Sequence, residues 1–181
     1  MQTISWKPEN GDGLEHLVRD AGPDTISARS VVIGDDEGNK FGLSYRINCT
    51  PDWSVREFQI VVAGGASLRL SALGQAGLWE KGGLFVPELT GCIDIDIEAT
   101  PFTNTLPIRR LMLAPGERRI IRVVYISVPS LRVHAAEQAY TRLAAPGRYL
   151  YESPASGFRA ELETDPDGLV IDYPGFFHRT G

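Results

Sequence analysis

The sequence predicts an all-β protein, a single long antiparallel sheet with few short helices at most. Three observations carry this reading. Nine stretches alternate apolar and polar residues with period two. Gly, Pro, Asp or Asn residues separate these stretches. At 181 residues, 43% hydrophobic and 23% charged, the chain has the size and composition of one domain with one core. So many twisted strands do not stay flat, and the sheet is expected to close, split or wrap around something. No repeat, low-complexity tract or linker divides the chain, so residues 1–181 read as a single domain.

Along the chain, LEHLVR (14–19) is ambiguous between helix and strand and is assigned to strand. ISARSVVIG, FGLSYRINC, VREFQIVV and ASLRLSAL follow as strands. In VREFQIVV one face carries Arg56, Phe58, Ile60 and Val62, and the other Val55, Glu57, Gln59 and Val61, so neither face is cleanly polar. The glycines of SALGQAGLWEKGG (71–83) point to turns and an exposed loop carrying Trp79. CIDIDIEA then places Ile93, Ile95 and Ile97 on one face and Asp94, Asp96 and Glu98 on the other. TPFTNTLPIRRLMLAPGERR (100–119) has neither strand nor helix period and reads as a proline-braced loop. RRIIRVVYISV is apolar on both faces. HAAEQAYTRLA (134–144) is the best helix candidate, although Tyr140 and Thr141 also suit a bent strand. GRYLYES, FRAELET and LVIDYP complete the sheet.

Successive carboxylates on one face of CIDIDIEA stand about 7 Å apart and repel one another unless water, a cation or arginines lie opposite. That face is either solvated or an interior groove neutralised by arginines such as Arg109, Arg110, Arg119 or Arg122. A straight strand is a poor cage for a divalent metal, and no metal is expected. His16, His134 and His178 are scattered, and no GxSxG elbow, Walker-type loop or strand-linked GxGxxG occurs, so no catalytic residue and no cofactor is assigned. Cys49 and Cys92 lack CxxC spacing and read as reduced, buried thiols. A net charge of −5 argues against nucleic acid as a partner. The N-terminus has neither the basic start nor the apolar run of a signal peptide, and no stretch is long enough to span a bilayer, so a cytoplasmic protein is expected. Aromatic residues, among them Tyr125, Tyr140, Tyr151, Tyr173, Phe176 and Phe177, are spread over most strands and can either fill a core or stack on a sugar.

SYRINCTPDWSVREFQI (44–60), DIEATPFTNTLPIRRLML (96–113), Gln138 with Tyr140, and FRAELETDPDGLVIDYPGFFHR (158–179) together resemble the bacterial putative glycolipid-binding family. The likeness follows the family's order over most of the chain, and residues 64–90 contribute little to it. It implies a sheet curled into a roll or half-open barrel, similar to lipoprotein carriers, with a central cleft for a glycolipid or other amphiphile. No catalytic residues come with it. On this reading the candidate ligand-binding residues are Arg56, Asp94, Asp96, Thr100, Asn104, Arg109, Arg110, Tyr125, Gln138 and Tyr140. Arg109 and Arg110, adjacent in an extended segment, are expected to face opposite sides, toward the carboxylates or an anionic headgroup. The alternatives are a hydrolase using cleft carboxylates and an interaction module using the sheet face.

Overall fold

The computed structural model describes residues 1–36 and 38–180. Its strands are β1 (Gln2–Pro8), β2 (Leu14–Ala21), β3 (Ile26–Asp36), β4 (Asn39–Cys49), β5 (Val55–Val62), β6 (Ser67–Ala72), β7 (Trp79–Lys81), β8 (Leu84–Phe85), β9 (Cys92–Ile97), β10 (Arg118–Ile126), β11 (Val133–Arg142), β12 (Arg148–Ser153), β13 (Phe158–Thr164), β14 (Val170–Tyr173) and β15 (Phe177–Arg179). One short helix, α1 (Thr105–Leu111), follows a 3-10 turn at Pro101–Asn104.

All fifteen strands belong to one sheet, in the order β8-β7-β6-β5-β4-β3-β2-β1-β15-β14-β13-β12-β11-β10-β9. Hairpins run outward from the centre on both sides, and the chain's two ends pair there through Trp6↔Arg179 and Lys7↔His178. The sheet is mixed where an antiparallel one was expected, because β9 and β10 run parallel. The segment between them causes this. A chain that leaves one strand through a helical crossover re-enters its neighbour in the same direction. The ladder does not close into a barrel, yet its two ends approach each other. Gly91 N donates to Gly77 O at 2.8 Å, and Trp79 Nε1 donates to Cys92 O at 2.7 Å.

Burial follows the period-two pattern. Ile26, Ala28, Ser30 and Val32 of β3 face inward while Arg29, Val31 and Ile33 face out. Two of the register shifts along the sheet change which side chains are buried. At Asn48/Cys49 the register shifts so that Arg56 is exposed although it shares parity with buried Phe58. A second shift, opposite Arg122/Val123, leaves Ile93 half-buried while Cys92, Ile95 and Ile97 enter the core.

Three local expectations give way to tertiary packing. Most of the helix candidate at 134–144 falls in β11, which pairs with β10 from Arg118↔Thr141 to Ile126↔Val133, where β-favouring Tyr140 and Thr141 fit the ladder. Trp79, expected in an exposed loop, is fully buried, with its ring edge against Phe58 at 5.7 Å. Residues 101–111, expected as a loop, are helical. Thr100 Oγ1 caps the turn by accepting from Phe102 N at 3.0 Å, Pro101 occupies a first-turn position, and Met112 ends α1 in the left-handed region at φ 46°.

This helical segment settles what the curled sheet encloses. Residues 100–108 are all buried, with Phe102 and Leu106 in the main core beside Trp6, Phe58 and Ile97. Burying each of those two side chains contributes about 1.5–3 kcal/mol. The concave side is therefore largely filled by the very segment expected to rim an opening. A second apolar cluster, around Ile108, Leu113, Tyr140, Tyr151 and Leu162, lies beyond it.

Candidate functional site

Hydrogen-bonded polar residues accompany the buried helical segment. Asp94, fully buried on β9, receives two bonds from Arg110: Nε to Oδ1 at 3.0 Å and Nη2 to Oδ2 at 2.6 Å. Asp96 has no such cation. Its Oδ1 accepts from Thr103 Oγ1 at 3.1 Å and its Oδ2 from Gln138 Nε2 at 2.6 Å. Burial pushes the Asp96 carboxyl upward, against those two bonds, and nearby Glu98 adds to the rise. Tyr140 OH donates to Asn104 Oδ1 at 2.8 Å. On the other side, buried Glu15 of β2 accepts at Oε1 from Ser30 Oγ at 2.7 Å and from Tyr45 OH at 2.5 Å. Tyr45 OH lies 3.3 Å from Thr100 Oγ1. Burial raises the Glu15 carboxyl to about 7, and the hydroxyls of Thr100, Tyr45 and Ser30 around it pull the other way without balancing that effect.

Two clefts open beside these groups. The first, of about 180 Å³, has apolar walls from Trp6, Leu14, Val32, Phe41 and Val128, with Glu15 and Glu98 among its lining. The second, of about 220 Å³, is lined by Asp96, Glu98, Thr100 and Asn104 and by an aromatic group, Tyr125, Tyr151, Phe158, Tyr173, Phe176 and Phe177. Tyr173 and Phe176 lie 4.9 Å apart between ring centroids, and Phe158 meets Phe176 edge-on at 5.3 Å. Glu98 and Phe177 line both clefts, so the two are neighbours on either side of these side chains. Larger depressions of about 650 and 580 Å³ are shallower: the first takes in outward-facing Val31, Ser44, Arg46 and Val61, and the second lies around Arg109, Met112 and Pro166. Among the described residues, no group of three or more His, Cys, Asp or Glu side chains is placed to hold a metal ion.

Residues 3–179 match the family described as "Putative glycolipid-binding", a span that takes in both clefts. The chain belongs to this family. It is also similar to a DUF1089 family protein from Pseudomonas aeruginosa whose crystal structure is known: 42% of residues are identical over 92% of each chain, with a TM-score of 0.79. No curated protein matches the chain.

Within this glycolipid-binding family member the sequence candidates fall into three places. Asp96, Thr100, Asn104 and Tyr125 line the aromatic cleft. Gln138 and Tyr140, each 2% exposed, stand behind it and hold Asp96 and Asn104. Asp94, Arg110, Arg109 and Arg56 lie outside both linings. Arg110 is taken up by Asp94, and Arg109 sits over the Trp53 ring at 5.5 Å and touches Pro166 O at 3.5 Å. The two arginines share the last turn of a helix, so their directions differ by the helical step and not by strand alternation. Gly168 of the DPDG turn, at φ +76°, leaves room for this arrangement, since a Cβ there would stand 2.9 Å from Arg109 Cδ. Arg56 lines a separate surface depression with Thr50 and Gln75.

Sequence reasoning missed Glu15 as a site residue. One signal could have found it: Glu15 shares strand parity with Leu17, which puts a carboxylate at an inward position.

Proposed function

We propose that the protein binds a glycolipid or a similar amphiphile without transforming it, its acyl portion in the apolar cleft and its headgroup in the aromatic one. The observation that carries this reading is the adjacency of two clefts that share Glu98 and Phe177, one with greasy walls and the other bearing hydroxyl, amide and carboxylate groups. Each cleft alone is smaller than the roughly 300–1,000 Å³ typical of small-molecule sites, and the two joined reach the lower part of that range. The volume suits a headgroup with part of a chain, so the rest of a long lipid would extend outside. The family description supports the same ligand class. Cys49 and Cys92, both buried and unpaired, support a reducing, cytoplasmic setting.

Native mass spectrometry with octyl glucoside tests the reading. A one-to-one adduct is expected for the unaltered chain, and its loss is expected on Ala99→Trp, because half-buried Ala99 lines the apolar cleft. Unaltered thermal unfolding of that variant separates a filled cleft from a damaged fold. Absence of any adduct with the unaltered chain would refute the proposal.

A second reading, hydrolysis of a glycosidic or ester bond, is favoured by Glu15, whose carboxyl near 7 lies in the range of a general acid. The same incubation separates the two, since hydrolysis consumes the glycoside with time and binding does not.

A further inference from the structure

We propose that the headgroup accepted by this cleft carries no negative charge and donates hydrogen bonds, as a glycosyl or amino-glycosyl ring does, and that phosphate and carboxylate headgroups are excluded. The inference rests on the binding reading above and narrows its ligand class by charge.

The lining of the two clefts is one-sided. Asp12, Glu15, Asp35, Asp36 and Glu98 border the apolar cleft, and Asp96 and Glu98 border the aromatic one. Among the described residues, no lysine, arginine or histidine lines either. Of the cationic or titratable bases in this part of the fold, Arg110 forks onto Asp94, Arg109 lies against Trp53, and His134 stands 5.1 Å between ring centroids from the cleft's Tyr125 without itself entering the lining. At the rim Lys40 reaches Asp12 at 3.5 Å, in a pair whose side chains are 72% and 90% exposed and which water screens heavily. Asp96 and Glu98 form no ion pair among the described residues. An anionic headgroup in the aromatic cleft meets Asp96 and Glu98 with no compensating cation in the lining, and like-charge juxtaposition of this kind is unfavourable.

Two further features point to a donor-bearing ligand. In the apolar cleft Glu15 is 2% exposed and its Oε2 has no hydrogen-bond partner among the described residues, an acceptor open to a donor on the part of the amphiphile that joins headgroup to chain. Glu98 is exposed; its Oε2 accepts from Val128 N at 3.0 Å and its carboxylate also takes a hydrogen bond from Tyr125, which leaves acceptor capacity for a hydroxyl or ammonium hydrogen. The aromatic wall supplies the apolar face on which the C–H side of a sugar ring stacks, with Ser153, Ser156 and Thr100 at its border.

Isothermal titration with octyl glucoside and octyl phosphate, both below their micelle-forming concentrations, holds the chain constant and varies only the headgroup. The glucoside is expected to bind at least roughly 100-fold tighter than the phosphate, a preference that narrows at high ionic strength. Glu98→Lys, which reverses the exposed charge shared by both clefts, is expected to reduce the preference at least about tenfold. Equal or tighter binding of octyl phosphate by the unaltered chain overturns the inference and leaves amphiphile binding standing. A preference indifferent both to salt and to Glu98→Lys also overturns it, because charge would then not be its source. Binding of neither compound overturns the amphiphile reading and this inference with it.

Discussion

Arg110→Ala tests the internal ion pair that anchors the buried helical segment to β9. Asp94 is fully buried and Arg110 keeps only 16% of its side chain exposed, so this is an interior pair and not a surface one. Removing the guanidinium leaves a carboxylate with no other cation among its hydrogen-bond partners. Breaking a buried pair in this way costs about 3–5 kcal/mol. For a chain of this size each kcal/mol lowers Tm by roughly 2–4 °C, which gives a fall of about 6–20 °C. The sign of the pH dependence follows from burial. Desolvation already raises the Asp94 carboxyl, and Arg110 pulls it back. Without Arg110 the carboxyl rises further, so the variant binds a proton more readily when folded than when unfolded. Its deficit is greatest at alkaline pH and shrinks as the solution is acidified. Urea unfolding followed by tryptophan fluorescence across that range measures the effect. Arg109→Ala serves as the control, since a partly exposed cation over an aromatic ring contributes only about 0.5–2 kcal/mol. A loss below about 1 kcal/mol for Arg110→Ala, or a loss that does not change with pH, would refute the assignment.

Glu15→Gln removes a group whose carboxyl rises from an ordinary 4.5 to about 7 on folding. In the unaltered chain the associated stability is complete below 4.5, is lost as pH rises through about 7, and amounts to roughly 3 kcal/mol. Urea titrations are expected to show this slope flattened in the variant, and an unchanged slope would show that another group causes it. Trp79→Ala opens a cavity where the two ends of the sheet meet and leaves Cys92 O without its indole donor, with an expected loss of about 3–5 kcal/mol. Amide exchange should accelerate in β7 and β9. A loss under about 1 kcal/mol would mean that this contact does not hold the sheet ends together.

Much of the sheet was legible because period-two alternation is a local property. ISARSVVIG and FRAELET each carry their strand character in consecutive residues, and burial alternates along them as the pattern requires. The failures have physical causes. TPFTNTLPIRRL forms a 3-10 turn and a seven-residue helix, too short for a helical period to show, and the burial of residues 100–108 leaves them no polar face. HAAEQAYTRLA has mixed propensity, and the long partner strand β10 decides it. Trp79 sits among glycines that do mark turns, but local turn chemistry says nothing of what the ring packs against. Of the candidate site residues, Asp96, Thr100, Asn104 and Tyr125 line one cleft, while Arg56 leaves its strand face through a bulge that no residue type announces.

By itself the sequence determined where most of the strands lie, which side chains share a face where no bulge intervenes, and that the chain has a net charge of −5. Tertiary structure alone decided which carboxylates are buried, which arginine neutralises one of them, and where the aromatic residues gather. Tyr125, Tyr151, Phe158, Tyr173 and Phe177 come from β10 and β12–β15 and become neighbours only through the strand order and curl of the sheet. Alternation fixes the parity of a side chain within its own strand. The partner across the fold is set by long-range pairing and by the helical segment that fills the concave face, and neither leaves a local trace in the chain.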